Sequence, residues 1–394
     1  MVGRSRPATA SARQAALAPE LRELIESRPL NRATVDAFLD GREFPLVDAN
    51  SCSFAFHGAA DSVRLRHWIF GLRGSQPFDN VPGTDLWTLG IELPPGSRVE
   101  YKLEVQQGDT IRLIEDPLNP QKAHDPFGAN SVCHAHTYSR PDWTLPDPGV
   151  RSGSIEERVF ESRILKGPRK VSIYLPARYR PQRRYPLLVV HDGSDFLRFS
   201  QLDVVLDNLI DRLEIPPMIV ALTNPGDRLV EYAASTAHAR FLTEELVPDL
   251  ERRYPLVGAP EGRGLLGASF GAVAGFSTAW RRPKFYGKLL LLSGSFAFSD
   301  IGEHTRGPAF DPVVEFVNRY RARPRRVASK VFLSCGMHES LIYENRSFLP
   351  VLTGTGMDVR YVEARDGHNW ENWRDRLREG LSWTFPGPLW MVYE

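Results

Sequence analysis

The sequence predicts an α/β fold, a mostly parallel sheet with helices on both faces, preceded by a small β-sandwich. Three observations carry this expectation. From about residue 155 onward, short continuous apolar runs such as "YPLLVVHDG" and "KLLLLSGS" alternate with helical stretches, as strands buried on both faces do. Between residues 49 and 137 the period changes: in "RVEYKLEV" the apolar residues Val99, Tyr101, Leu103 and Val105 alternate strictly with polar ones, the pattern of a half-buried strand. Finally, 394 residues, 42% hydrophobic and 25% charged, suffice for two domains with a substantial core.

The elements follow in chain order. Residues 1–48 form an N-terminal helical segment: Ala16, Leu17, Leu21, Leu24 and Ile25 recur at helical spacing, and a second short helix runs from Arg32 to Leu39 and stops at Gly41. Residues 49–137 form the β-sandwich domain. Its strand candidates "SCSFAFHG", "SVRLRHWIFG", "DLWTLGIELP", "RVEYKLEV" and "TIRLIEDPLN" are separated by Gly, Pro, Asp and Asn. Residues 138–154, "YSRPDWTLPDPGVRSGS", read as a linker. Residues 155–394 form the α/β domain. "RKVSIYLP" and "YPLLVVHDG" are strands, and Leu202, Val205, Leu206, Leu209, Ile210 and Leu213 mark an amphipathic helix. "PMIVALTN" is the next strand, and "FLTEELVPDLERRYP" a helix that Pro248 kinks. "LLGASFG", "KLLLLSGS", "KVFLSCG" and "DVRYVEAR" are strands with helices between them. A final helix runs from Asn369 to about Trp383.

Composition excludes several function classes. Lys and Arg number 49 against 48 Asp and Glu, a formal charge of +1, so neither nucleic acid nor an anionic membrane surface is an expected partner. No apolar run is long enough to span a bilayer, and the first residues lack the apolar stretch of a secretory signal, so a cytoplasmic location is expected. Cys52, Cys133 and Cys335 are too few and too scattered for a disulfide framework. A Cys52–Cys133 bridge would need an oxidising compartment, and three reduced thiols are expected. His191 and Asp192 make no metal ligand set, and no cofactor is expected.

The chemistry centres on "LLGASFGAV", where Ser269 stands between a strand and a helix. A serine hydroxyl needs exposure and a base. A sharp strand-to-helix turn provides the exposure, and Gly267 and Gly271 remove the Cβ atoms that would clash there. In α/β hydrolases the nucleophile is followed by an acid and then a histidine. After Ser269 come His304, His338 and His368. His368, in "ARDGHNWENW" between the last strand and the last helix, fits the base; His338 is the rival and His304 sits in a polar loop. Glu339, just past the end of the penultimate strand, is the first candidate for the orienting acid, ahead of Glu344 and of Asp366. The oxyanion hole takes the backbone N–H of Phe270 and a second from the loop after "PLLVVHDG", with Ser194 first and Asp195 second.

With these residues in place the chain resembles the enterochelin (ferric enterobactin) esterase-like family, within the esterase-D-like group of α/β hydrolases. The resemblance covers nearly the whole sequence. It rests on "AFLDGREFPLVDANSCSFAF", "GTDLWTLGIELPPGSRVEYKL" and "IEDPLNPQKAHDPFGANSV" in the first half. "VSIYLPARYRPQRRYPLLVVHDGSDF", "GASFGAVAGF", "LLSGSF", "GMHESLIYEN" and "DGHNWENWRDRL" carry it in the second. It implies an immunoglobulin-like character for the sandwich, Ser269 as nucleophile, His368 as base and Glu339 as acid. "DRLVEY" matches an Arg-x-x-Glu-Tyr pattern that points to Arg228 and Glu231 near the substrate, with a structural ion pair as the alternative. The implied substrate is a small-molecule ester, a ferric catecholate siderophore, whose negative charge arginines such as Arg198, Arg228, Arg281, Arg282 and Arg346 would meet. The function expected is therefore a serine carboxylic ester hydrolase acting through an acyl-enzyme. A feruloyl- or acetyl-type carbohydrate esterase, an acyltransferase of the same fold, and a non-catalytic binding protein are the alternatives.

Overall fold

The computed structural model describes residues 16–27, 29–299 and 306–388; residues 1–15 of the expected helical segment and His304 lie outside them. The chain divides into two compact units. The first runs to Arg140 and also takes in Met337–Ser340 and Ala364–Asn369; the second holds the remainder from Pro141.

The first unit opens with helix α1, Pro19–Glu26, whose proline sits in the first turn where no N–H is needed. Helix α2, Arg32–Leu39, starts at a reciprocal cap: the Asn31 side chain accepts from Thr34 N at 3.1 Å, and Thr34 Oγ1 accepts from Asn31 N at 2.8 Å. Their apolar faces, Leu21, Leu24, Val35 and Leu39, are buried with Phe44, Ala55, Val81 and Leu86. The strands that follow are β1 (Leu46–Val47), β2 (Ser51–His57), β3 (Ser62–His67), β4 (Ser75–Pro77), β5 (Asp79–Asn80), β6 (Leu86–Glu92), β7 (Arg98–Gln107), β8 (Thr110–Ile114), β9 (Lys122–Asp125) and β10 (Gly128–His134). They form two sheets, β1-β2-β6-β5 and β4-β3-β7-β10-β9, with β8 paired to β7. Alternate residues of each meet in one core: Phe54 and Leu89 from the first, Leu65, Leu103 and Cys133 from the second, with the Phe54 and Tyr101 rings edge to face at 5.0 Å. Cys52 and Cys133 here, and Cys335 in the second unit, are buried and form no disulfide.

The second unit begins with Trp143, buried within the stretch read as a linker. It then contains β11 (Ser154–Ser162), β12 (Gly167–Leu175), β13 (Leu187–His191), α3 (Gly193–Ser200), α4 (Leu202–Asp211) and β14 (Ile219–Thr223). Next come α5 (Arg228–Glu231), α6 (Thr236–Arg240), α7 (Val247–Arg253), β15 (Arg263–Ala268), α8 (Phe270–Arg281), β16 (Lys288–Leu292) and α9 (Asp311–Ala322). The unit closes with β17 (Lys330–Gly336), α10 (Ile342–Thr353), β18 (Asp358–Ala364) and α11 (Trp370–Thr384).

The eight-stranded sheet has the order β11-β12-β14-β13-β15-β16-β17-β18. Strands β14, β13, β15, β16 and β17 pair in parallel, while β11 and β12 add an antiparallel edge. Period-two burial explains the unbroken apolar runs. Leu187, Val189, Leu265, Leu289 and Leu291 point into one core with Val273 and Phe276 of α8, Val317 of α9 and Phe348 of α10. Leu188, Val190, Leu266, Leu290 and Leu292 point into the other with Val205 and Leu209 of α4 and Leu377 and Leu381 of α11. Each such side chain stabilises the sheet by about 1.5–3 kcal/mol.

The helix expected across Pro248 is not simply kinked. A π-helical turn, Phe241–Leu246, joins α6 to α7, and Pro248 falls in the first turn of α7. A proline lacks an N–H and crowds the carbonyl four residues back, and the wider turn ahead of it takes up the misfit. Among the described residues no helix is long and apolar enough to cross a membrane.

Candidate active site

The candidate residues fall in both units. In the second unit, Ser269 links the carboxyl end of β15 to α8 with φ 57° and ψ −121°, a conformation that ordinary L-residues avoid. Its backbone is fixed on both sides: Ser269 N donates to Leu292 O at 2.9 Å, and Ser295 N donates to Ser269 O at 3.2 Å. The glycines are demanded by packing. A Cβ on Gly267 would lie 2.3 Å from Gly271 O, and one on Gly271 would lie 3.1 Å from His191 Cβ. The Ser269 side chain is half-buried, and its Oγ lies 3.2 Å from Ser295 Oγ, a neighbour the sequence did not single out. Phe270 opens α8, so its N–H belongs to the unpaired, positive end of that helix.

The neighbouring parallel strand β13 ends at His191. Asp192 then turns in the left-handed region at φ 54°, and Gly193 starts α3 where a Cβ would meet Leu222 Cβ at 2.4 Å. Ser194 N donates to Asn224 Oδ1 at 3.1 Å, and Asn224 Nδ2 donates to Ser194 Oγ at 2.8 Å. As an oxyanion donor Ser194 N–H must therefore exchange Asn224 for substrate. Asp195 N already donates to Asp192 O at 3.1 Å.

Arg228 and Glu231 both meet protein partners. The Arg228 guanidinium holds the buried Asp192 carboxylate through contacts of 2.8–3.1 Å, bracing the turn after β13. Glu231 Oε1 accepts from Arg169 at 2.5 Å and from Gly226 N at 3.0 Å. Burial pushes the Glu231 carboxyl up, but hydrogen bonds from His238, Arg169 and Gly226 outweigh it and hold the carboxyl at about 2. Behind them, His191 Nδ1 lies 3.0 Å from Leu266 O and His191 Nε2 lies 3.1 Å from His238 Nε2. Burial, with His238 alongside, lowers His191 to about 3, so the His191 ring is neutral packing beneath the nucleophile turn. Among the described residues no group of three or more metal-ligating side chains gathers. Of the other arginines, Arg346 pairs with Glu363, Arg282 with Glu244, and Arg281 donates to Ala234 O, while Arg198 rests over the Phe199 ring.

In the first unit, His368 Nδ1 lies 2.5 Å from Glu339 Oε2, with the carboxylate buried and the imidazole about one-third exposed. An ionised carboxylate at Nδ1 keeps the proton there and leaves Nε2 to accept. The other acids are engaged elsewhere. Glu344, in the second unit, pairs with Arg306. Asp366 accepts from Arg98 Nη1 at 3.3 Å, Asn369 Nδ2 at 2.8 Å and Gly367 N at 2.7 Å, while burial raises its carboxyl to about 6. His338 turns its main chain to these loops: its N donates to Asp366 O at 3.0 Å and its O accepts from Phe70 N at 2.7 Å.

A doubly wrapped sheet with a strained serine turn at the carboxyl end of a central strand defines the α/β hydrolase class. Residues 162–384 match the profile of the family described as "Putative esterase", more than half of the chain. The chain belongs to that family and is a carboxylic ester hydrolase by class. It is 29% identical over 150 residues to the uncharacterized protein YjcH of Bacillus subtilis, a match spanning 36% of this chain and 62% of that one. It is 23% identical over 337 residues to the iron(III) enterobactin esterase of Escherichia coli O6:H1, spanning 78% of this chain and 82% of that one. The enterobactin esterase FES of Shigella flexneri, crystallised in the presence of enterobactin, superposes with a TM-score of 0.71 at 20% identity. That match covers 87% of this chain and 95% of the other, and shows a shared fold.

Proposed function

We propose that the protein hydrolyses a small-molecule ester through an acyl-enzyme on Ser269, with His368 as general base and Glu339 as its orienting acid. The observation that carries this reading is the backbone of Ser269: a serine at φ 57° and ψ −121°, pinned by hydrogen bonds on both sides, is strain that packing alone does not require. In the proposed cycle Ser269 Oγ attacks the ester carbonyl as its proton passes to His368 Nε2. The alkoxide leaves with that proton, and water then attacks the acyl-enzyme with His368 again as base. Glu339 steadies the imidazolium. The oxyanion falls to the N–H of Phe270 and a donor of the 192–195 turn, each worth about 2.7–4 kcal/mol in comparable sites.

The substrate class we favour is a siderophore or related ester, supported by the likeness to an iron(III) enterobactin esterase over 78% of this chain and by the structural neighbour crystallised in the presence of enterobactin. Arg198, exposed beside the 192–195 turn, is the arginine we assign to an anionic ligand. Arg228 and Glu231 then serve the substrate indirectly, by bracing Asp192 and the 226–231 turn. We read the β-rich first unit as an immunoglobulin-like sandwich.

Ser269→Ala is expected to abolish turnover of p-nitrophenyl acetate, a loss of about 10³-fold or more; full activity in that variant rules the mechanism out. Rates on ferric enterobactin, a feruloylated sugar and an acetylated sugar, measured side by side, test the substrate. A preference for either sugar ester replaces the siderophore reading with a carbohydrate esterase.

A further inference from the structure

The loop that carries His368 is tied to strand β7, more than half the chain away, through the side chain of Arg98. Arg98 is fully buried, and its Nη1 reaches Asp366 Oδ1 at 3.3 Å and Asn369 Oδ1 at 3.0 Å, while Nη2 reaches Glu100 Oε1 at 3.0 Å. Asp366 and Asn369 flank the histidine on either side in sequence. Two further ties sit at the same place: Arg98 N donates to Arg365 O at 2.9 Å, and the Arg365 side chain donates through Nη1 to Pro95 O at 2.5 Å. The loop carrying Glu339 is fastened to the same frame. Phe70 N donates to His338 O at 2.7 Å, Met337 N to Ala364 O at 2.7 Å, and His338 N to Asp366 O at 3.0 Å.

We propose that Arg98 is a positioning residue for the reaction: by clamping Asp366 and Asn369 it fixes the orientation of the His368 ring against Glu339. Nothing in ordinary packing calls for a guanidinium at the end of β7. The rest of the strand alternates apolar and polar residues, and a buried charge is costly unless fully engaged. The geometry of the fork answers that cost, because a planar guanidinium can meet Asp366, Asn369 and Glu100 together, which a lysine ammonium on a flexible stem does less well. Loss of Arg98 leaves the Asp366 and Glu100 carboxylates facing one another without the cation between them, and the loop must shift to separate or hydrate them. A shift of about 1 Å at a catalytic group costs on the order of 100-fold in rate.

The inference rests on His368 acting as the base, and the experiment separates the two. In Arg98→Met, shown to be folded by circular dichroism and a cooperative melt, kcat on p-nitrophenyl acetate is expected to fall about 100-fold with KM within about 3-fold, since substrate contacts are untouched. Arg98→Lys is expected to recover part of that loss. Should Arg98→Met fail to fold, Asn369→Ala, which removes one of the two loop acceptors of Arg98 together with the Asn369 bond to Asp366, is read in the same way. A folded variant with wild-type kcat, or with KM alone altered, overturns the proposal. If the wild-type protein hydrolyses no ester, the esterase reading fails, and proton NMR decides Arg98 instead. The low-field Nδ1 proton of His368, identified by its loss in His368→Gln, is then expected to vanish or move in Arg98→Met, and an unchanged resonance overturns the proposal.

Discussion

Glu339 and His368 lie 2.5 Å apart, and that contact separates three carboxylates the sequence left in competition. Glu344 is taken by Arg306 and Asp366 by Arg98 and Asn369, so only Glu339 stands against Nδ1. Neutralising the acid behind a catalytic histidine leaves the ring in the wrong tautomer, an effect of roughly 10⁴-fold in a well-studied triad. Glu339→Gln is accordingly expected to lower kcat by about 10²–10⁴-fold. Glu344→Gln is expected to leave kcat within about twofold and to show its effect, a small one, in the melting temperature. A Glu344→Gln loss equal to that of Glu339→Gln would show the acid to be misassigned.

The turn from β15 to α8 was legible in sequence because every part of it is local: two glycines, a serine, and apolar residues before and after. Its sterics are graded, and that grading is testable. A methyl at Gly267 would stand 2.3 Å from a backbone oxygen, an overlap that forces the chain apart, and one at Gly271 would stand 3.1 Å from His191 Cβ, a contact that a few tenths of an ångström relieve. Gly267→Ala is expected to cost about 1–3 kcal/mol in a denaturant melt and most of the esterase activity, and Gly271→Ala clearly less of both. Equal effects would mean that the crowding argument is wrong. The parallel strands were legible for a similar reason, since burial on both faces leaves Leu289–Leu292 apolar without a gap. Strands β9 and β10 were not, because Gly, Asn and His interrupt their alternation. Arg98 was invisible for a different reason. It occupies the polar phase of "RVEYKLEV", which alternation assigns to solvent, and what buries it is a loop that arrives at residues 364–369. Sequence periodicity reports on an element's own faces and carries no sign of what a distant segment lays over them.

At the scale of the molecule, each unit contains a buried histidine whose protonation opposes folding. Burial, with Arg66 and His338 nearby, holds His67 at about 4, and burial with His238 holds His191 at about 3, against an ordinary 6.5. The unfolded chain therefore binds protons that the folded one refuses. The stability these neutral rings allow is complete above about pH 6.5 and is lost as pH falls toward 4 and below. Asp366 acts in the opposite sense. Its carboxyl is raised to about 6 from 3.8, so its share of stability improves as pH falls between those values, offsetting one of the two histidines. The net expectation is a melting temperature that declines from pH 7 to pH 4.5 in scanning calorimetry, and a flat or rising curve contradicts it.

The discontinuity of the first unit also bears on how the protein is made and on where it can be cut. Strand β7 leaves the ribosome well before the segments that cover Arg98, because they lie far downstream at 337–340 and 364–369. Until then the nascent sheet exposes a guanidinium to water, where it is comfortable, and the unit closes only once residues 364–369 have emerged. A fragment trimmed to begin at Pro141 keeps the whole eight-stranded sheet and Ser269, but deprives both late loops of the strand that fastens them. The natural place to shorten this chain is therefore not the boundary that its order of elements advertises.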